Sequence, residues 1–173
     1  GYINGEWLDA DSGDTIDVTN PATGEVVATV PTMGAAETRR AIYAANEAWP
    51  AWREKLAKER AAILRRWYEL MHENADDLAL IMTSEQGKPL AEAKAEIIYG
   101  ANFVELFAEQ AKRVFGETIP THKADARVVI LKQPVGVVAA ITPWNFPSAM
   151  ITRKVAPALA VGFTTAVQPT ASA

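Results

Sequence analysis

Asn145 lies within ITPWNFPSAMITRK, residues 141–154, between Pro143 and Pro147. Each proline fixes its own φ at about −65° and pushes the residue before it, Thr142 or Phe146, toward an extended conformation. A side-chain amide on so stiff a backbone is a fixed dipole. Its N–H can donate to an oxygen that gains negative charge during a reaction, as in an oxyanion hole. An Asn in a rigid turn can equally cap the helix that follows. On chemistry alone the two readings stand level. Arg153 comes eight residues later, roughly two helical turns along and on nearly the same face. A guanidinium there suits a bidentate grip on a carboxylate. Lys154 points elsewhere on the helix, toward a cofactor or toward solvent. For both cations the plainer reading is a solvated surface charge.

The chain holds no Cys and two His, so the nucleophile that would partner such a site is missing from these residues. No GxSxG elbow supports serine hydrolysis. His72-Glu73 opens like a zinc-protease helix, but Asp76 stands where the second His belongs. His122 is the other imidazole, and no metal site is expected. Gly87-Lys88-Pro89 has Pro where a phosphate loop needs Ser or Thr, and reads as the end of a helix. Asp76, Asp77 and Glu92, Glu96, Glu105 and Glu109 sit at helical spacings beside lysines and read as solvated faces.

The elements that must position these groups follow from periodicity. Asn4-Gly5, Ser12-Gly13, Asn20-Pro21 and Thr23-Gly24 punctuate residues 1–31, with β-leaning pieces at Thr15 to Thr19 and Glu25 to Val30. Four core-forming helices come next. The first, Ala35 to Trp49, aligns Ile42, Ala45 and Trp49. The second, Ala57 to His72, aligns Ile63, Leu64, Trp67, Leu70 and Met71. The third, near 75–86, buries Leu78, Ile81 and Met82. The fourth, near 91–115, runs from Ile97 through Ala101, Val104, Phe107 or Ala108 and Ala111 to Phe115. Gly100 inside the fourth costs about 1 kcal/mol relative to Ala, so close packing is expected there. Arg127 to Lys132 and Val135 to Thr142 read as strands, the second apolar on both faces as in a buried parallel sheet. A helix near 148–161 and a strand at Phe163 to Val167 complete a βαβ unit. A doubly wound sheet has more strands than this, so the α/β fold reads as incomplete. The turn at 142–147 joins a strand to a helix, where open α/β sheets place their ligands.

A 49% apolar, 22% charged chain of 173 residues can build a real core. The net charge of −4 is of mixed sign, which leaves no electropositive footprint for nucleic acid. No apolar run approaches the roughly 18 residues of a membrane span. The first residues carry neither a basic start nor an apolar stretch of a secretory signal, and a cytoplasmic location is expected.

Several motifs in order resemble the NAD(P)-dependent aldehyde dehydrogenase superfamily, and within it the succinate-semialdehyde dehydrogenases. They are INGEW at 3–7, TNPATGE at 19–25, AWR at 51–53, AKERAAILRRWYELM at 57–71, EQGKPLAEAKAEI at 85–97 and LKQPVGVVAAITPWNFP at 131–147. The resemblance implies the N-terminal part of that fold. Strands and helices of the cofactor-binding domain occupy 1–116, an oligomerisation β arm 117–134, and the first βαβ elements of a Rossmann-like domain 135–173, cut short. It implies an enzyme that oxidises succinate semialdehyde, or a similar ω-carboxy aldehyde, with NAD or NADP, and assembles as a homo-oligomer; one Arg fixes a charge rather than a chain length, which leaves glutarate semialdehyde open. Asn145 matches the oxyanion donor and Arg153 the Arg that binds the far carboxylate. Thr142, Pro143 and Trp144 match the turn lining the cofactor cleft, and Lys154 a Lys near the cofactor. Gln168 departs from the family's Lys at the next strand end, and Ala171 from a Glu or Ser that helps choose NAD or NADP. The family's Cys nucleophile and general-base Glu lie beyond residue 173, so these residues alone are expected to be inactive. A rival expectation is a short, non-catalytic chain that pairs with a full-length relative by strand addition.

Overall fold

The computed structural model describes residues 1–169; Ala171 lies outside them. The N-terminal punctuation does what its residue types allow. β1 (Tyr2–Ile3) and β2 (Glu6–Trp7) form a hairpin through Asn4 and Gly5, at φ 53° and 85°, as a two-residue loop of this sequence favours. β3 (Thr15–Thr19) and β4 (Val26–Pro31) form a second antiparallel pair, with a register shift between Val18 and Thr19.

Helices follow as the periodicity requires: α1 (Ala35–Glu54), α2 (Ala57–Glu73), α3 (Ala75–Gln86) and α4 (Leu90–Gln110), the last continued by a 3₁₀ turn at Ala111–Arg113. Gly87 ends α3 at φ 75°, the left-handed position that Gly takes without a Cβ penalty. α4 is the axis of the core. Its Ala93, Ile97, Ala101, Val104 and Ala108 are buried with Leu64 and Met71 of α2 and Ala79 and Met82 of α3.

The apolar stripes are only partly buried. Ile42, Ile63, Leu70, Ile81 and Phe115, expected inside, are exposed. α1 buries no apolar side chain at all. It lies against three strands rather than inside the helical cluster, so its apolar face has too little to cover it. The acidic helical positions also divide. Glu92 and Glu109 are solvated and Glu105 meets Arg65 at 2.5 Å, but Glu96 is buried.

β5 (Glu117–Ile119) and β6 (Val128–Ile130) form an exposed antiparallel hairpin. β7 (Val137–Ile141) runs parallel to β8 (Thr164–Gln168), with Val137 opposite Thr164 and Ile141 opposite Gln168. α5 (Ala149–Ala160) makes the crossover. The parallel βαβ unit expected from the sequence is present, although β7 buries only Ala140. α5 lies across α4 at Gly100. A Cβ there would come within 3.2 Å of Thr152 Oγ1 and 3.3 Å of Ala149 Cα, which accounts for a glycine inside a helix.

Glu37 ties the start of α1 to the N-terminal loop. Its carboxylate accepts the backbone N–H of Asp11 at 2.8 Å and of Gly34 at 2.9 Å. These bonds, the Asp11 one first, hold its carboxyl below the usual carboxylate range. With the folded pKa below the unfolded one, the stabilisation is complete above pH of about 4.3 and is lost as pH falls through the folded value. Glu37→Gln should therefore lower the melting temperature at pH 7, with a gap that narrows toward pH 3. A gap that stays constant across that range contradicts the assignment.

Candidate active site

The turn after β7 is built by its neighbours more than by itself. Thr142 is buried, and its N–H donates to the Gln168 carbonyl at 3.2 Å, carrying the parallel pairing one step past the strand. Pro143 to Phe146 are exposed. Their backbone is held from the α3–α4 junction. Gln86 Nε2 donates to the Trp144 carbonyl at 2.6 Å, and Lys88 Nζ to the Asn145 carbonyl at 3.0 Å. The Lys88 ammonium also lies 4.5 Å from the centre of the Phe146 ring, within cation–π range.

Glu96 completes the clamp. One carboxylate oxygen accepts the N–H of Ser148 at 3.0 Å and of Ala149 at 3.2 Å. The other is ion-paired with Lys88. The first N–H groups of a helix have no intrahelical acceptor and carry partial positive charge. The first turn of α5 contains no acidic residue, so α4 supplies the carboxylate. Asn145 does not cap α5, whose N-cap residue is Ser148, so the capping role does not hold. Its side-chain amide has no hydrogen bond among the described residues and is exposed.

The far end of α5 is closed in complementary fashion. Trp52 Nε1 donates to the Leu159 carbonyl at 3.1 Å, Arg60 Nε to that of Ala160 at 3.0 Å, and Trp49 Nε1 to that of Gly162 at 3.1 Å. Donors, one of them cationic, meet the carbonyl end of the helix, as its dipole favours. Burial lowers the proton affinity of Arg60 from the ordinary guanidinium value. α5 is thus held by a carboxylate at its start and by indoles and a guanidinium at its end.

The expected site residues divide into two groups. Thr142 and Gln168 come together at the carboxyl ends of the parallel strands, with exposed Trp144 and Pro143 following Thr142. This edge fits one side of a nucleotide cleft. The N-terminus of α5 is not open to a phosphate, because Glu96 already occupies it. Arg153 is exposed on α5, its guanidinium carbon 5.7 Å from the ring centre of Phe103 in α4. Phe103 meets Tyr99 edge to face at 4.8 Å between centres. Tyr99 lines a shallow hollow that Lys88, Asn145 and Phe146 share. Aromatic side chains of α4 therefore connect Arg153 to the Asn145 end of the turn. The helical-face argument linking Asn145 to Arg153 does not hold, since α5 begins only at Ala149. Lys154 is half-buried on α5.

Gln86, Lys88 and Glu96 were not expected from the sequence to serve the site. Two features bear on Glu96 once α5 is known to pack on α4: no acidic residue opens α5, and Gly100, one turn after Glu96 on α4, allows close packing on that face.

The family model for the aldehyde dehydrogenase family matches residues 7–173. The chain is 70% identical over 168 residues to a glutarate-semialdehyde dehydrogenase of Pseudomonas putida, covering 97% of this chain and 35% of that protein. It is 65% identical over 167 residues to an NADP⁺ succinate-semialdehyde dehydrogenase of Escherichia coli, covering 96% and 35%. The crystal structure of an E. coli NADP-dependent enzyme superposes with a TM-score of 0.96 at 64% identity, over 98% of this chain and 35% of that one. The chain spans about a third of the length of these relatives.

Removing one partner of a buried ion pair leaves the other charge uncompensated, at a cost of about 3–5 kcal/mol. Glu96→Ala, which strips the α5 N-terminus as well, should lose at least that much in a chemical-denaturation titration. A loss under about 1 kcal/mol, the scale of an exposed pair, would mean that Glu96 does not clamp the start of α5.

Proposed function

The chain belongs to the aldehyde dehydrogenase family, and we propose that the complete protein oxidises a short ω-carboxy aldehyde, succinate or glutarate semialdehyde, to the diacid with NAD or NADP. The observation that carries this reading is the state of Asn145. Its backbone carbonyl is bonded to Lys88, its neighbours are held by Gln86 and Glu96, and its side-chain amide is left over to serve a ligand.

Attack of a thiolate on an aldehyde puts negative charge on the carbonyl oxygen. An N–H donor already aimed at that oxygen stabilises the charge without reorganising, and Asn145 supplies it in this proposal. The thiolate itself comes from outside these 173 residues, which contain no Cys. Arg153 holds the distant carboxylate, its guanidinium steadied on Phe103. Thr142, Pro143, Trp144 and Gln168 form one edge of the nucleotide cleft, with Lys154 beside it. The nucleotide, when bound, accepts the hydride. Relatives acting on glutarate and succinate semialdehydes, one with NADP⁺ in its name, support this substrate and cofactor class. A homo-oligomer joined through the exposed β5–β6 hairpin, and a cytoplasmic location, belong to the same proposal.

In the complete protein, Asn145→Ala should lower kcat by about 10²–10³, the scale of one oxyanion donor. Arg153→Ala should raise KM for succinate semialdehyde far more than KM for an uncharged aldehyde of similar length. Steady-state kinetics with both substrates separates the two roles. An equal rise for both substrates removes the carboxylate grip, and an unchanged kcat in Asn145→Ala removes the oxyanion donor.

A further inference from the structure

Once Asn145 is read as the oxyanion donor, the direction of its amide matters as much as its presence. A donor misplaced by about 1 Å can cost on the order of 10²-fold in rate. Asn145 stands outside any helix or strand, so no backbone ladder fixes it. Two prolines restrict the turn, but they leave the peptide groups on either side of Asn145 without partners of their own. Those partners come from Gln86 at the end of α3 and Lys88 in the α3–α4 junction.

We propose that Lys88, charge-paired with buried Glu96, is the positioning residue that sets the direction of the Asn145 amide. The inference rests on the oxyanion reading of Asn145. Three observations carry it. Lys88 Nζ donates to the carbonyl of Asn145 itself, at 3.0 Å. The same ammonium packs over the ring of Phe146, the next residue. Its counter-charge, Glu96, accepts the N–H groups of Ser148 and Ala149, just past Pro147. One ion pair thus holds the turn on both sides of Phe146-Pro147 and ties it to a core helix. An ion pair that merely neutralised a buried carboxylate would have no reason to reach the Asn145 carbonyl. A lysine is suited to this task, because its three donors serve a carboxylate and a carbonyl from one point charge.

The test is a double-mutant cycle in the complete protein, with succinate semialdehyde and NADP⁺ and with kcat and KM measured separately. Lys88→Met should lower kcat by about 10- to 100-fold, with KM for the aldehyde changed by less than about 3-fold. In an Asn145→Ala background the same substitution should cost almost nothing further, because the group it positions is gone. Glu96→Gln keeps an acceptor for the α5 N–H groups while releasing Lys88, and should give the same coupled loss. It decides the matter if Lys88→Met does not fold. If the two substitutions multiply independently, or if Lys88→Met leaves kcat unchanged while Asn145→Ala lowers it, the positioning role is overturned and the oxyanion reading survives. If Asn145→Ala leaves kcat unchanged, the oxyanion reading falls first and the positioning role falls with it.

Discussion

A carboxylate on α4 sits at the amino end of α5, and the arrangement of the site depends on it. Glu96 supplies what the first turn of α5 lacks, a negatively charged acceptor for its free N–H groups. Being buried, it requires a counter-charge, and Lys88 provides one. Lys88 then has donors to spare, and one goes to the Asn145 carbonyl. Satisfying one helix end thereby fixes the turn that precedes it.

The same logic extends to the whole segment. α5 packs on α4 where Gly100 allows backbone to approach backbone, and its last carbonyls are met by Trp52 and Arg60. The crossover helix of the βαβ unit is therefore positioned by the helical cluster and not only by its two strands. Thr142 and Gln168, at the ends of those strands, inherit that position. So does Arg153, which leaves α5 toward the aromatic side chains of α4.

Much of the fold was legible in the sequence because it rests on local chemistry. Asn4-Gly5 dictates a hairpin, Gly87 ends a helix, and β-branched runs on either side of an amphipathic stretch give the parallel pair β7 and β8. The stripes of α1 and of the outer faces of α2 and α3 were legible as helix but not as surface. Periodicity reports which residues share a face and says nothing of what covers that face. Ile42 and Ile81 belong to apolar faces with no cover among the described residues. The candidate site was legible as PWNFP because two prolines around an Asn are locally unusual. Lys88 and Glu96 were not, because their partners lie 57 and 52 residues away in the chain. At short range a buried Glu in a helix looks like a solvated one. The spacing of Asn145 and Arg153 misled for a related reason, since a helical period was applied across a turn that is not helical.

The turn at 144–149 is held from outside, by side chains of α3, α4 and the junction between them, and every role proposed for Asn145 depends on that hold. Amide hydrogen exchange at Ser148 and Ala149 measures it most directly. Ser148 precedes α5 and Ala149 opens it, where no intrahelical acceptor serves an N–H, and the acceptor the two share is Glu96. The expected result is slow exchange at both amides, comparable to the interior of α5, and a large loss of that protection in Glu96→Ala, which removes their acceptor. Fast exchange at both amides in the unmodified protein would mean that the clamp does not hold in solution, and that Asn145 is not held in place by it.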